Sequence, residues 1–129
     1  MISNLYEKLI QVSQDKYGDI VTDAKIIYSG DSGRVSKLRL FIINGTIIDI
    51  WYSVDGEYSY HWNYNPKKDI IYRHDNAPHA KWRRLKTYPK HFHNGSEKDT
   101  DCIESYLPDK PEVAMSAFLD FVKDKLISS

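Results

Sequence analysis

Apolar residues follow helical spacing near both ends of the chain and strand-like alternation between them. Leu5, Leu9 and Val12 repeat every three or four residues, which predicts a helix over residues 4–17. Similar spacing near the C-terminus predicts a second helix over residues 111–126. A middle region built from strands is therefore expected between two helices.

Five strands are predicted in the middle region, separated by residues that favour turns. They cover residues 19–29, 34–43, 46–53, 57–64 and 69–75, and the turns read GDSG, NG, VDGE and NPKK. The order of elements predicts an α+β fold with an N-terminal helix, a five-stranded antiparallel meander sheet, a long basic loop and a C-terminal helix. A length of 129 residues suits a single domain.

The hairpin turns predict which residues face each other across the sheet. A two-residue turn after Ile43 pairs Phe41 with Ile48, and a three-residue turn at 54–56 pairs Ile48 with Trp62. One face of the sheet then carries the expected core residues, which are Phe41, Ile43, Ile48, Ile50, Tyr52, Tyr58, Tyr60 and Trp62.

The opposite face of the sheet is expected to mix apolar and polar side chains. It holds Asp49 opposite His61, as an ordinary cross-strand pair or as part of a site. Its apolar members are Leu38, Leu40, Ile42, Ile47 and Trp51. Such a face needs a cover, which residues 76–108 or a second copy of the chain would supply, so a homodimer through this face is one expectation.

Composition excludes several classes of protein. The lone cysteine, Cys102, rules out an intrachain disulfide framework and a CxxC metal site, and it fits a reducing cytoplasm. The N-terminal residues lack the apolar stretch of a signal peptide, and no segment is long enough to span a membrane. A cytoplasmic protein is expected. P-loop, GxGxxG and HExxH motifs are absent, and no cofactor is expected.

Charge is unevenly spread although the chain is neutral overall. Residues 66–98 hold nine Lys and Arg residues against three Asp and Glu residues, a net charge of +6, while the rest of the chain carries −6. A cationic segment on an acidic body predicts an anionic partner, such as nucleic acid or an acidic protein, although solvated basic loops are also common. The acidic segment 96–105 is placed to fold back onto the basic loop and screen it.

Two short motifs place titratable side chains around the basic loop. In RHDNAPH, Arg73 and Asp75 share one face of a strand end, and His79 follows a turn; an ion pair that only closes the strand is the simpler alternative. In KHFH, His91 and His93 point the same way on an extended chain, as in an HxH metal pair. Zinc needs three or four ligands, and these histidines make up such a set with Asp75.

The same residues suit cleavage of RNA without a metal ion. This reaction needs a base for the 2′-hydroxyl proton, an acid for the leaving 5′-oxygen and cations for the phosphorane, and histidine titrates near neutral pH. Arg73 would bind phosphate, His91 and His93 would supply acid and base, and Asp75 would orient one of these histidines or Arg73. Together with His79 these form the candidate catalytic set, and the candidate RNA-binding residues are Lys81, Trp82, Arg83, Arg84, Lys86, Tyr88 and Lys90.

Together the two motifs resemble those of the TumE family of small prokaryotic toxins from toxin–antitoxin pairs. The matching residues are Arg73, Asp75, Asn76, Pro78 and His79, then Thr87, Tyr88, Pro89, His91 and His93. The chain departs from the family pattern at Ala80 and Lys90, where histidines are expected, and at His74, where an aromatic residue is expected. These departures put a metal cluster in doubt more than an RNA-directed site.

The resemblance implies a growth-inhibiting toxin with a cognate antitoxin, often a helix-turn-helix protein. Three hypotheses follow for how it acts. The first is a metal-independent ribonuclease. The second is a non-catalytic module that binds RNA or the antitoxin, and the third is a metal-binding protein that uses the HxH pair.

Overall fold

Two helices and a seven-stranded sheet make up the computed structural model, which describes residues 2–30 and 33–128, without the side chains of 34–36. The helices are α1 (Ile2–Tyr17) and α2 (Pro111–Ser128), each within two residues of the predicted bounds. The strands are β1 (Val21–Ser29), β2 (Arg34–Ile42), β3 (Ile47–Tyr52), β4 (Tyr58–Asn65), β5 (Ile70–Asp75), β6 (His91–Asn94) and β7 (Cys102–Glu104). They form one antiparallel meander in chain order. Two residues of the predicted GDSG turn, Asp31 and Ser32, lie outside the described residues.

The prediction of five strands was wrong, because residues 76–110 are not one long loop. They contain β6 and β7, which are only four and three residues long. Neither strand has the apolar run that marks a buried strand in a sequence. Both form because β5 offers backbone partners: β6 pairs with β5, and β7 pairs with β6.

The turn between β2 and β3 has three residues rather than the predicted two. The Ile42 N–H donates to the carbonyl of Thr46 at 2.9 Å, so residues 43–45 form the loop. Gly45 has a φ of 86°, but Asn44 does not adopt the positive φ that a two-residue type I′ turn requires at both positions. The turn therefore adds one residue to the connection.

This single residue reverses the two faces of β2, because side chains alternate along a strand. Leu40 pairs with Ile48 where Phe41 was expected. Leu38, Leu40 and Ile42 face the core, and Ile43 is exposed. The predicted faces of β2 were wrong, and the face expected to be mixed is more polar than predicted.

The pairing of β3 with β4 was confirmed, with Asp49 opposite His61. The carboxylate of Asp49 nevertheless accepts hydrogen bonds from β2, from Lys37 and Arg39, each at 2.9 Å. Asp49 therefore balances two cations of its neighbouring strand.

The core lies between the helices and one face of the sheet. Its fully buried large side chains include Tyr6, Leu9, Leu38, Leu40, Ile48, Ile50, Tyr60, Trp62, Met115, Phe118 and Leu119. Two polar rows cross the opposite side, termed the outer face, and they run Arg39, Asp49, His61, Arg73, His93, Cys102 and Trp51, Ser59, Asp75, His91, Glu104. No helix within the described ranges is long and apolar enough to cross a membrane.

Candidate functional site

All five predicted catalytic residues line one cleft on the outer face. Arg73 and Asp75 come from β5 and lie opposite His93 and His91 of β6. His79 is exposed and begins the 3-10 turn that follows β5. The cleft has a volume of about 240 Å³, and its lining residues are Arg73, Asp75, Ala77, His79, Lys81, Trp82, His91, His93 and Glu97.

Asp75 is the acceptor at the centre of the cleft. One oxygen lies 2.9 Å from Nε2 of His91 and 3.0 Å from the backbone N–H of Ala77, and the other accepts from Nε of Arg73 at 3.2 Å. Burial alone raises the pKa of Asp75, but the bonds from His91 and Ala77 and the charges of His91 and Arg73 outweigh it. The net pKa is lowered, so Asp75 is a carboxylate.

His91 faces an oxygen acceptor at each ring nitrogen. Nδ1 donates to the carbonyl of Pro89 at 2.8 Å, and Nε2 faces the Asp75 carboxylate. Because neither acceptor carries a proton, both nitrogens must, and the ring is an imidazolium. The side chain is 2% exposed and stacks on Trp82 at 5.1 Å. Both nitrogens are engaged, so His91 positions Asp75 in this geometry, and its acid or base role stays a prediction.

His93 has the opposite arrangement. Nη2 of Arg73 lies 3.1 Å from its Nε2, and because a guanidinium only donates, Nε2 is the acceptor. Nδ1 then holds the ring proton and is buried with no hydrogen-bond partner among the residues described. Burial first, then the charges of Arg73 and His91, lowers the pKa of His93 to about 4. His93 is a neutral imidazole whose lone pair points at Arg73.

Arg73 is fully engaged, chiefly by Glu97, a residue outside the predicted site. Its two terminal nitrogens donate to the two oxygens of Glu97 at 2.6 and 3.1 Å. Glu97 lies in the loop between β6 and β7, which confirms that the acidic segment folds back onto the basic one. That charge pattern was the signal in the sequence, but it did not single out Glu97.

Trp82 does not have the exposure predicted for base stacking. It is 4% exposed and packs with Leu85 and Cys102 under residues 83–90, with the half-buried Tyr88 at the edge. The large ring covers the outer face of β6 and β7. The expectation that residues 76–108 cover part of this face was confirmed, and the burial of Trp82 leaves its ring little surface on which a base could stack.

The predicted RNA-binding cations differ in availability. Lys81 binds the carboxylate of Asp99 at 3.2 Å, and Arg84 donates to the backbone carbonyls of Asp99 and Cys102. Lys90 is held by residues that precede α2. Among the predicted RNA-binding cations, all of which lie in the described part of the chain, the exposed Arg83 and Lys86 have no side-chain hydrogen bond or ion pair.

The cleft also contains a set of metal-type donor atoms. The ligand atoms of Asp75, His91 and His93 lie within 4.8 Å of one another. The fourth residue of the predicted set, His79, lies on the cleft wall outside this group, and its Nδ1 accepts from the Lys81 N–H at 3.3 Å. The donor types suit zinc, but an ion would need the lone pair of His93 that Arg73 uses and a lone pair on His91, whose two nitrogens both face acceptors.

A comparison with protein families places the whole site within one family. The family model described as Toxin TumE matches residues 8–126. Curated proteins and solved structures gave no match. The matched range contains all seven strands and every residue that lines the cleft.

Proposed function

The chain belongs to the TumE toxin family, and from this premise we propose that it is the toxin of a toxin–antitoxin pair and cleaves RNA without a metal ion. The family implies a cognate antitoxin as its partner. The cleft carries the proposal, because the Arg73 guanidinium, the Asp75 carboxylate and three imidazoles line a single depression of the outer face. These are the groups that transfer of a ribose phosphate needs.

Arg73 binds the phosphate and His93 is the base in this proposal. A phosphate replaces Glu97 on the guanidinium, since phosphate and carboxylate are both oxyanions that accept two parallel N–H bonds. When Arg73 turns to the phosphate, Nε2 of His93 is freed to accept the 2′-hydroxyl proton. Burial is the main cause of the lowered pKa of His93, and the charge of the bound phosphate offsets the guanidinium charge that also lowers it.

His79 is the acid in this proposal, after Nδ1 gives up the hydrogen bond from the Lys81 N–H and takes a proton. It is the exposed histidine of the cleft, and its Nε2 has no hydrogen bond among the described residues. The 2′-oxygen attacks phosphorus, the bond to the 5′-oxygen breaks, and His79 protonates that leaving oxygen, which leaves a 2′,3′-cyclic phosphate. Asp75, itself bonded to His91, keeps Nε of Arg73 at the cleft while the terminal nitrogens turn from His93 to the phosphate.

Growth and RNA integrity after induced expression test the proposal. Arg73→Lys removes the bidentate fork but keeps the charge, His93→Gln removes the base, and His79→Asn removes the acid on the surface. Each is expected to slow cleavage by about 100-fold or more. His61→Gln is the matched control, because His61 lies on the outer face but does not line the cleft. Undiminished toxicity and cleavage in the double variant His91→Ala/His93→Ala would overturn the site.

A non-catalytic module is distinguished in the same experiment. The free cations Arg83 and Lys86 suit sequence-independent contacts with phosphates. If the protein binds RNA, leaves it intact and releases it steeply as salt rises, binding without cleavage is the function.

Metal binding is a second candidate, favoured by the closeness of three ligand atoms. Asp75, His91 and His93 would hold the ion, which would supply a bound water of lowered pKa. Metal analysis of protein purified without a histidine tag tests this, with Asp75→Asn as the comparison. One equivalent of metal that is lost in the variant supports the site, and a substoichiometric content in the wild type removes it.

A further inference from the structure

The carboxylate of Glu97 occupies the position on Arg73 where the proposed function requires a phosphate to bind. The two terminal nitrogens of Arg73 donate to the two oxygens of Glu97, which is the fork geometry that guanidinium uses for phosphate. The same loop places Asp99 on Lys81, a second cation of the cleft. Two cations expected to meet RNA are therefore already bound by acidic residues of the chain itself.

Glu97 also stands between two cavities. It lines the cleft and the adjoining groove, which has a volume of about 780 Å³ and carries Lys68 and Lys98. Asp69 also lines the groove.

The loop that carries Glu97 is held at both ends and also along its length, where Ser96 donates to Asp101 and Arg84 donates to the carbonyl of Asp99, so only the Glu97 side chain has to move. At one end Gly95 exchanges backbone hydrogen bonds with Ile71 at 2.9 and 3.3 Å. At the other end Cys102 lies in β7. Glu97 itself is 58% exposed, so its side chain leaves Arg73 without disturbing the core.

We propose that Glu97 is a gate for single-stranded RNA. While it is bound to Arg73, it keeps the guanidinium from a phosphate and keeps Nη2 of Arg73 on the lone pair of His93. When Glu97 leaves, the cleft and the groove form one track, with Arg73 at the reacting phosphate and Lys68 and Lys98 at neighbouring ones. This inference rests on the proposed RNA-directed function and adds the path of the strand and the residue that closes it.

Equilibrium binding of a fluorescein-labelled, 2′-O-methylated uridine 12-mer tests the gate, because this probe cannot be cleaved. Glu97→Gln keeps the shape of the side chain but removes its charge. The matched control is Glu7→Gln, an exposed position on α1, which packs on the core side of the sheet. We expect Glu97→Gln to bind about three- to tenfold more tightly than wild type, since an exposed ion pair competes by about that factor. Glu7→Gln should bind like wild type.

The outcomes separate the gate from the proposed function. Added to Glu97→Gln, Lys98→Ala should weaken binding more than it does in the wild-type background, because the groove then takes part. If Glu97→Gln binds no more tightly than Glu7→Gln while Arg73→Lys still abolishes cleavage, the gate is wrong and the RNA-directed function stands. If neither the wild type nor Glu97→Gln binds or cleaves RNA, both are wrong.

Discussion

Replacing Asp75 with Asn tests how the cleft is held together. The carboxylate is 14% exposed and accepts hydrogen bonds from Arg73, His91 and the N–H of Ala77. Asn preserves the size of the side chain and one acceptor oxygen, but it removes the charge that lies between two cations. His91 is then left as a buried group without its counterion.

The expected cost is about 3 kcal/mol of the free energy of unfolding at pH 7. Breaking a buried ion pair costs about 3–5 kcal/mol, and the lower end applies because Arg73 keeps Glu97 and the amide keeps one acceptor. The pKa of Asp75 is lowered in the folded state, whereas an unperturbed Asp has a pKa of about 3.9. The stabilisation is therefore present above about pH 4 and is lost as the pH falls through the folded-state value.

Urea unfolding followed by circular dichroism, at pH 7 and at pH 3, measures this effect. Asp49→Asn is the matched control, because Asp49 lies on the same face between Lys37 and Arg39 but is 25% exposed. It should cost about 1 kcal/mol. If Asp75→Asn costs no more than Asp49→Asn at pH 7, or costs as much at pH 3 as at pH 7, the ion-pair account of the cleft is wrong.

Four further substitutions check other parts of the structure. Trp82→Ala should destabilise by about 3 kcal/mol in urea unfolding, because the ring is buried against His91; an unchanged stability would contradict its role as a cover. Tyr58→Phe should be neutral or stabilise by up to about 1 kcal/mol in a thermal melt, because its hydroxyl is buried with no hydrogen-bond partner among the described residues. Tyr52→Phe loses a 2.7 Å hydrogen bond to Tyr60 and should cost about 1 kcal/mol, and the reverse order would contradict both assignments. His93→Gln should flatten the loss of stability between about pH 6.5 and pH 4, because the pKa of His93 is about 4 when folded, so the unfolded chain takes up its proton first as the pH falls; an unchanged slope in pH-dependent urea unfolding would contradict its burial as a neutral ring.

Local patterns predicted the parts of this fold that depend on neighbours in the chain. Helical spacing located α1 and α2, and the three-residue turn at 54–56 established the pairing of β3 with β4. The register of β2 was missed because a two-residue and a three-residue turn at Asn44 differ by one residue, and packing of Leu40 against the core selects between them. The short strands β6 and β7 were missed because they carry too few apolar residues to be recognised alone.

For the site, the sequence by itself determined which side chains share a face. Arg73 lies beside Asp75 and His91 beside His93, because strand geometry points every second residue the same way. The tertiary structure determined which other side chains lie against those faces. Pairing of β5 with β6 put the two sets opposite each other, and the loop after β6 brought Glu97 to Arg73, 24 residues away in the chain. Such contacts depend on the packing of distant segments, and no local pattern encodes them. The sequence therefore indicated only a cationic patch, whereas the fold gathers these residues in one cleft in which Glu97 binds Arg73.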